Sequence, residues 1–83
     1  MRDYQDPQYK KFRKMVRLRD KCCRWPNCGK KVRLQVHHIL EWAKYPALRY
    51  VIANGITLCK KHHQAIRGKE SSYANMFISI LGE

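Results

Sequence analysis

The chain has 83 residues and a formal net charge of +12, from 18 Lys and Arg against 6 Asp and Glu. So short a chain forms at most one small domain, and its undersized core usually needs a metal or disulfides to hold it. The charge far exceeds what solubility needs and argues for a polyanionic partner, nucleic acid ahead of an anionic membrane. No run approaches the roughly 18 apolar residues of a membrane span. The segment "RDYQDPQYKKF" after Met1 lacks the apolar stretch of a signal peptide. The expectation is a cytoplasmic protein, in which Cys22, Cys23, Cys28 and Cys59 hold metal rather than one another.

From Pro7 onward, Tyr9, Phe12 and Val16 recur at helical spacing, with Lys10, Lys11, Arg13, Lys14 and Arg17 around them. The pattern predicts a basic amphipathic helix ending near Asp20. Residues 1–36 carry 12 Lys and Arg against 3 acids, and residues 37–83 carry 6 against 3. The N-terminal half is therefore the expected electrostatic docking surface. "CCRWPNCGKK" follows as a tight turn marked by Pro26, Asn27 and Gly29. "VRLQVHHI" alternates Val32, Leu34 and Val36 with polar residues and predicts a strand. "LEWAKYPALRY" reads as a short helical turn broken at Pro46. "NGITLC" opens with a tight-turn Asn-Gly and runs into a second strand. "CKKHHQAIRGK" predicts a helix stopped near Gly68. Tyr73, Met76, Phe77, Ile80 and Leu81 form a core-facing stripe on a last helix. The order is helix, knuckle, strand, loop, strand, helix, helix, with a β-β-α unit at its centre.

Cys23 and Cys28 are separated by four intervening residues across the turn, and Cys59 and His62 by two at a helix start. Two short-spaced pairs of this kind make a tetrahedral Zn²⁺ site, which would add folding energy that the core lacks. Cys22 could replace Cys23 at one residue longer spacing; the shorter loop favours Cys23. The stretch "LQVHHILEW" then leaves His37 and His38 without a structural task, together with His63. Neighbours on a strand face opposite ways, so His37 and His38 should play different parts. His37 and His63 could ligate a second divalent cation, and His38 could take a proton from an attacking water. The chemistry these residues suggest is phosphodiester hydrolysis.

"VHHI", "YPALRY", "NGITLC", "KKHH" and "IRGKE", in this order and spacing, resemble the zinc-knuckle branch of the HNH endonucleases, especially small phage and prophage members. The resemblance spans most of the chain. It implies a small α+β, ββα-metal (His-Me finger) fold over residues 1–83, with a structural zinc and flanking N- and C-terminal helices. It implies a one-metal DNA endonuclease using Mg²⁺, Mn²⁺ or Ni²⁺. By position, His37 and His63 would be the catalytic-metal ligands and His38 the general base. Asn54 would brace the loop that carries the base. Double-stranded DNA is the implied substrate, inside a bacterial host cell for a phage-encoded member. Phage packaging proteins are partners by resemblance alone.

Two positions depart from the family pattern. His62 stands where a cysteine is usual, a change that zinc tolerates. Arg67 stands where a histidine is common; it cannot ligate a cation but can contact a phosphate. Its other reading is a solvent-facing helix end. A zinc-bound DNA-binding module without catalysis is the main alternative function, but it gives His37, His38 and His63 no task. A peptide-cleaving zinc hydrolase lacks its His-Glu-x-x-His. An RNase would share the same chemistry.

Overall fold

The computed structural model describes residues 5–82, so the first residues of the segment read for a leader lie outside it. Helix α1 runs Pro7–Asp20. It starts on the Asp6 side chain, which accepts from the Gln8 N–H at 2.8 Å, with Pro7 in the first turn where no N–H is needed. Strand β1 is Leu34–His38 and strand β2 is Gly55–Cys59. They pair antiparallel, with Val36 opposite Thr57 and His38 opposite Gly55. Helix α2 is Lys60–Ala65 and helix α3 is Glu70–Leu81. The result is a small α+β fold around a β1–β2–α2 unit. No helix among the described residues is long and apolar enough to cross a membrane.

The sheet is the middle layer, and all five residues of β2 are buried. Residues facing each other in the ladder share a side, so Val36, His38, Gly55 and Thr57 form one face. Tyr9, Phe12 and Val16 of α1 pack there, against Val36. The opposite face carries His37, Ile56 and Leu58. Ile56 and Leu58 join Ile39, Ile66, Phe77 and the thiols of Cys23 and Cys59 in a second cluster.

Three expectations change. The first strand begins at Leu34 rather than Val32. Arg33 takes a left-handed φ of 54°, and Val32 is 68% exposed. Pro46 opens a 3₁₀ turn, Pro46–Leu48, instead of breaking a helix; its fixed φ suits a first helical position. Asn54-Gly55 is no tight turn. Asn54 ends a second 3₁₀ turn, Ile52–Asn54, and Gly55 is extended at φ −118°. The glycine serves packing: a Cβ there would sit 2.8 Å from both Phe12 Cζ and Val16 Cγ2.

Asp20 joins the layers. Its side chain is fully buried and accepts from Arg19 Nε at 2.8 Å, Arg24 Nη1 at 3.0 Å and the Thr57 N–H at 2.9 Å. The Arg24 N–H in turn donates to the Thr57 carbonyl at 2.9 Å. Arg19 also donates to the carbonyls of Ile52 and Gly55. The outer edge of β2 is thus closed by the chain leaving α1. Burial pushes the Asp20 carboxyl up, but hydrogen bonds from Arg19 and Thr57 and the Arg19 charge outweigh it and hold the group below its ordinary value.

Asp20 therefore adds stability above the ordinary carboxyl pKa, and that stability is lost as pH falls through the lower folded-state value. Asp20→Asn should lower stability at neutral pH by about 1–3 kcal/mol, because a buried carboxylate loses its charge toward two partly exposed arginines. It should also flatten the acid limb. Thermal melts of both proteins from neutral to acid pH check this; parallel acid limbs would show that another group controls acid unfolding. Gly55→Ala should cost about 1–3 kcal/mol by overpacking against Phe12 and Val16, read as a lower midpoint in denaturant.

Candidate active site and metal centre

The knuckle turns on residues that tolerate left-handed backbone. Asn27 and Gly29 take φ of 65° and 68°, and the Cys23 N–H reaches the Lys30 carbonyl at 2.7 Å. This brings Cys23 and Cys28 against the β2–α2 junction, where Cys59 caps α2 and His62 lies in its first turn. The ligand atoms of Cys23, Cys28, Cys59 and His62 all lie within 4.8 Å of one another. Cys59 Sγ is 3.3 Å and Cys23 Sγ 3.7 Å from His62 Nδ1, and Cys28 Sγ is 3.9 Å from Cys59 Sγ. A tetrahedron of thiolate and imidazole around zinc has edges of roughly 3.5–3.8 Å, so the group could bind zinc. Cys22 is half-buried and outside the group.

The surroundings shift three of these groups in different directions. Burial pushes the Cys23 thiol up to about 11. Burial also raises Cys59, but the His62 N–H, the neighbouring thiols and the Lys61 N–H outweigh it and bring it below its ordinary value. Burial, then the charges of Lys61 and Lys30, hold His62 down, which favours the neutral ring a metal needs. Trp25 stacks flat on the His62 ring, with centroids 4.6 Å apart and planes at 4°. Sequence reading missed Trp25, although its place between two ligand cysteines was a signal.

A second group forms at the end of β1. His37 faces α3, its ring 5.6 Å from Phe77 and 5.8 Å from His63 of α2. His38 faces α1, stacked on Phe12 at 4.8 Å with planes at 17°. The two neighbours do lie on opposite faces, yet both border one cavity of about 450 Å³ where the strand ends. His63, Arg67, Trp42, Glu41 and Glu70 also line it. Trp42 was another missed residue; its ring lies 5.3 Å from His38.

The ring of His38 is oriented by the backbone. Its Nε2 lies 2.8 Å from the Arg49 carbonyl oxygen. A carbonyl only accepts, so in the neutral ring the proton is on Nε2 and the lone pair on Nδ1. Asn54 fixes the loop between these two residues. Its Oδ1 accepts from the Leu40 N–H at 2.9 Å, and its Nδ2 donates to the carbonyls of Leu40 and Leu48, each at 3.2 Å. Arg49 is held in turn by its Nε, which donates to the Trp42 carbonyl at 2.8 Å.

The basic residues of α1 divide. Arg13 and Arg17 line a cavity that also holds Val36 and His63, next to the histidine site. Lys10, Lys11 and Lys14 are exposed and line neither cavity. Lys14 stands roughly opposite the buried stripe of Tyr9, Phe12 and Val16 at 3.6 residues per turn.

Two antiparallel strands running into a short helix, with histidines from strand and helix meeting beside a Cys/His knuckle, define the ββα-metal class of nuclease folds. The HNH endonuclease family model matches residues 22–69, and the chain belongs to the HNH endonuclease family. Comparison with curated proteins and with solved structures gives no match.

The knuckle geometry predicts one tightly held metal ion per chain. Elemental analysis should find it in wild type and in Cys22→Ser, and should find it lost or sharply reduced in Cys23→Ser. Equal metal content in the two variants would mean that Cys23 is no ligand.

Proposed function

We propose that this chain is a metal-dependent endonuclease that hydrolyses phosphodiester bonds in duplex DNA, in the cytoplasm. The observation that carries the reading is the meeting of His37, His38 and His63 in one cavity on a chain of net charge +12. Membership in a family of nucleases supports it.

Each residue has a task in this reading. Cys23, Cys28, Cys59 and His62 hold a structural Zn²⁺; three thiols and an imidazole at these separations are a zinc ligand set. His37 of β1 and His63 of α2, both lining this cavity with rings 5.8 Å apart, would hold the catalytic divalent ion, Mg²⁺, Mn²⁺ or Ni²⁺. When bound, that ion neutralises phosphate charge and stabilises the departing oxygen. His38 is the general base. The Arg49 carbonyl keeps its proton on Nε2, so the buried Nδ1 is the ring atom whose lone pair would take the proton from water. Asn54 positions this base by tying Leu40 to Leu48 across the loop. Arg67, exposed at the cavity wall, holds a phosphate oxygen. Arg13 and Arg17 hold the backbone beside it, with Lys10, Lys11 and Lys14 adding long-range attraction. Water attack on phosphorus leaves 5′-phosphate and 3′-hydroxyl ends.

His38→Ala should keep both metals and lose about 10²–10⁴-fold in rate on supercoiled plasmid at saturating Mn²⁺. His37→Ala and His63→Ala should instead weaken metal binding and recover partly with excess Mn²⁺. His38→Ala cleaving as fast as wild type would place the base elsewhere. A wild-type chain that binds duplex DNA but leaves plasmid uncut in Mg²⁺, Mn²⁺ and Ni²⁺ would be a zinc-bound DNA-binding module.

A further inference from the structure

Four of the cations outside the site just described share one hollow. Lys30 and Arg33 leave the knuckle, and Lys60 and Lys61 open α2; together with Gln64 they line one concavity. All four are exposed. No ion pair among the described residues engages their side chains, since those present involve Asp20 and the Glu41–Lys44 contact. Four like charges in one hollow repel unless an anion neutralises them. The backbone beside the hollow is also unusual. Arg33 takes a left-handed φ of 54°, uncommon for a side chain of this kind, and its carbonyl accepts the Lys60 N–H at 3.0 Å.

Position gives the cluster its meaning. The histidine cavity and the Arg13–Arg17 cavity share Val36 and His63. The Lys-Arg hollow begins where the second of these ends, with Arg33 next to Leu34 and Gln64 next to His63. The three concavities follow the edge of β1 that no strand covers. That strand alone spans roughly 17 Å, about five base pairs of duplex. One duplex lying on the histidine cavity would therefore reach the hollow as well.

We propose that Lys30, Arg33, Lys60 and Lys61 form a second phosphate-backbone contact for duplex DNA, at the metal-knuckle end of the free β1 edge. The duplex is then held at two successive points leading away from the histidine cavity: Arg13 and Arg17 grip it from α1 beside that cavity, and the knuckle cluster grips it further along. Such contacts position the backbone and read no sequence. They fix which phosphate reaches His38, which attraction from α1 alone would leave free to slide. The inference rests on the DNA reading above.

The test is duplex binding by fluorescence anisotropy over a salt series, without added divalent ion, so that no cleavage intervenes. The variant carries Lys30→Gln, Arg33→Gln, Lys60→Gln and Lys61→Gln; its metal content and melting curve confirm folding. Its slope of log affinity against log salt should shrink by about three to four, near 0.9 for each lost contact. The control Lys21→Gln/Lys44→Gln should change the slope by less than about one. A wild-type slope in a folded quadruple variant overturns this inference and leaves the DNA reading intact. Failure of wild type to bind duplex DNA overturns both. Should the variant not fold, acetylation of wild-type lysines decides. Bound duplex should protect Lys30, Lys60 and Lys61 while Lys44 labels at its free rate; labelling of all four at the free rate overturns the inference.

Discussion

A buried carboxylate determines how this small chain is arranged. A two-stranded sheet has two open edges, each a row of unmatched backbone groups. Asp20 and the Arg24 backbone take the N–H and carbonyl of Thr57 and so close the β2 edge. An unpaired carboxylate with no exposed surface would cost several kcal/mol, so Arg19 and Arg24 must accompany it. Those arginines then tie the start of β2, the knuckle and the carbonyl of Ile80 in α3 to the same point. With one edge sealed in this way, the β1 edge alone stays open, and the concavities lie along it. The division between a structural edge and a chemical edge follows from where one aspartate is buried.

Much of this was legible in the sequence because it depends on local pattern. Tyr9, Phe12 and Val16 mark the buried face of α1 at helical spacing, and all three are buried as the pattern required. The element order and both strands follow from periodicity and turn residues. The short spacings Cys23–Cys28 and Cys59–His62 bring the donors of each pair close, and the fold brings the pairs together. What escaped notice depends on contacts distant in sequence. In the sequence Asp20 reads only as the end of an amphipathic helix; its partner Thr57 is 37 residues away. Asn54-Gly55 has the composition of a tight turn, yet the glycine answers to Phe12 and Val16 on another element. Trp25 and Trp42 carry no periodic signal, so the stacking of Trp25 on His62 and the edge-on contact of Trp42 with His38 are visible only in space.

The His37–His38 doublet links two separate cores through one strand. Alternation sends His37 toward Phe77 and the metal-knuckle core, and His38 toward Phe12 and the α1 core. Their relative placement therefore depends on the thickness of both layers. On the α1 side that thickness is set by the missing side chain at Gly55, where the helix rests on bare backbone. The same Phe12 ring that touches Gly55 supports the His38 ring from below. A bulkier residue at position 55 would change the height of that ring and, with it, the distance between the two histidines.

His62 and His63 make a second coupling of the same kind. They are adjacent on a six-residue helix, too short to persist by itself in water. Consecutive helical residues point about 100° apart, so one can serve the knuckle while the other faces the cavity. His62 lies flat against Trp25 and within ligand distance of Cys23 and Cys59. Once that ring is held, the turn has little freedom to rotate, and His63 is carried to within 5.8 Å of His37. A helix this weak could not place a side chain from intrinsic propensity. The knuckle therefore does more than stabilise the fold: through one peptide unit, it sets the position of a residue in the neighbouring cavity.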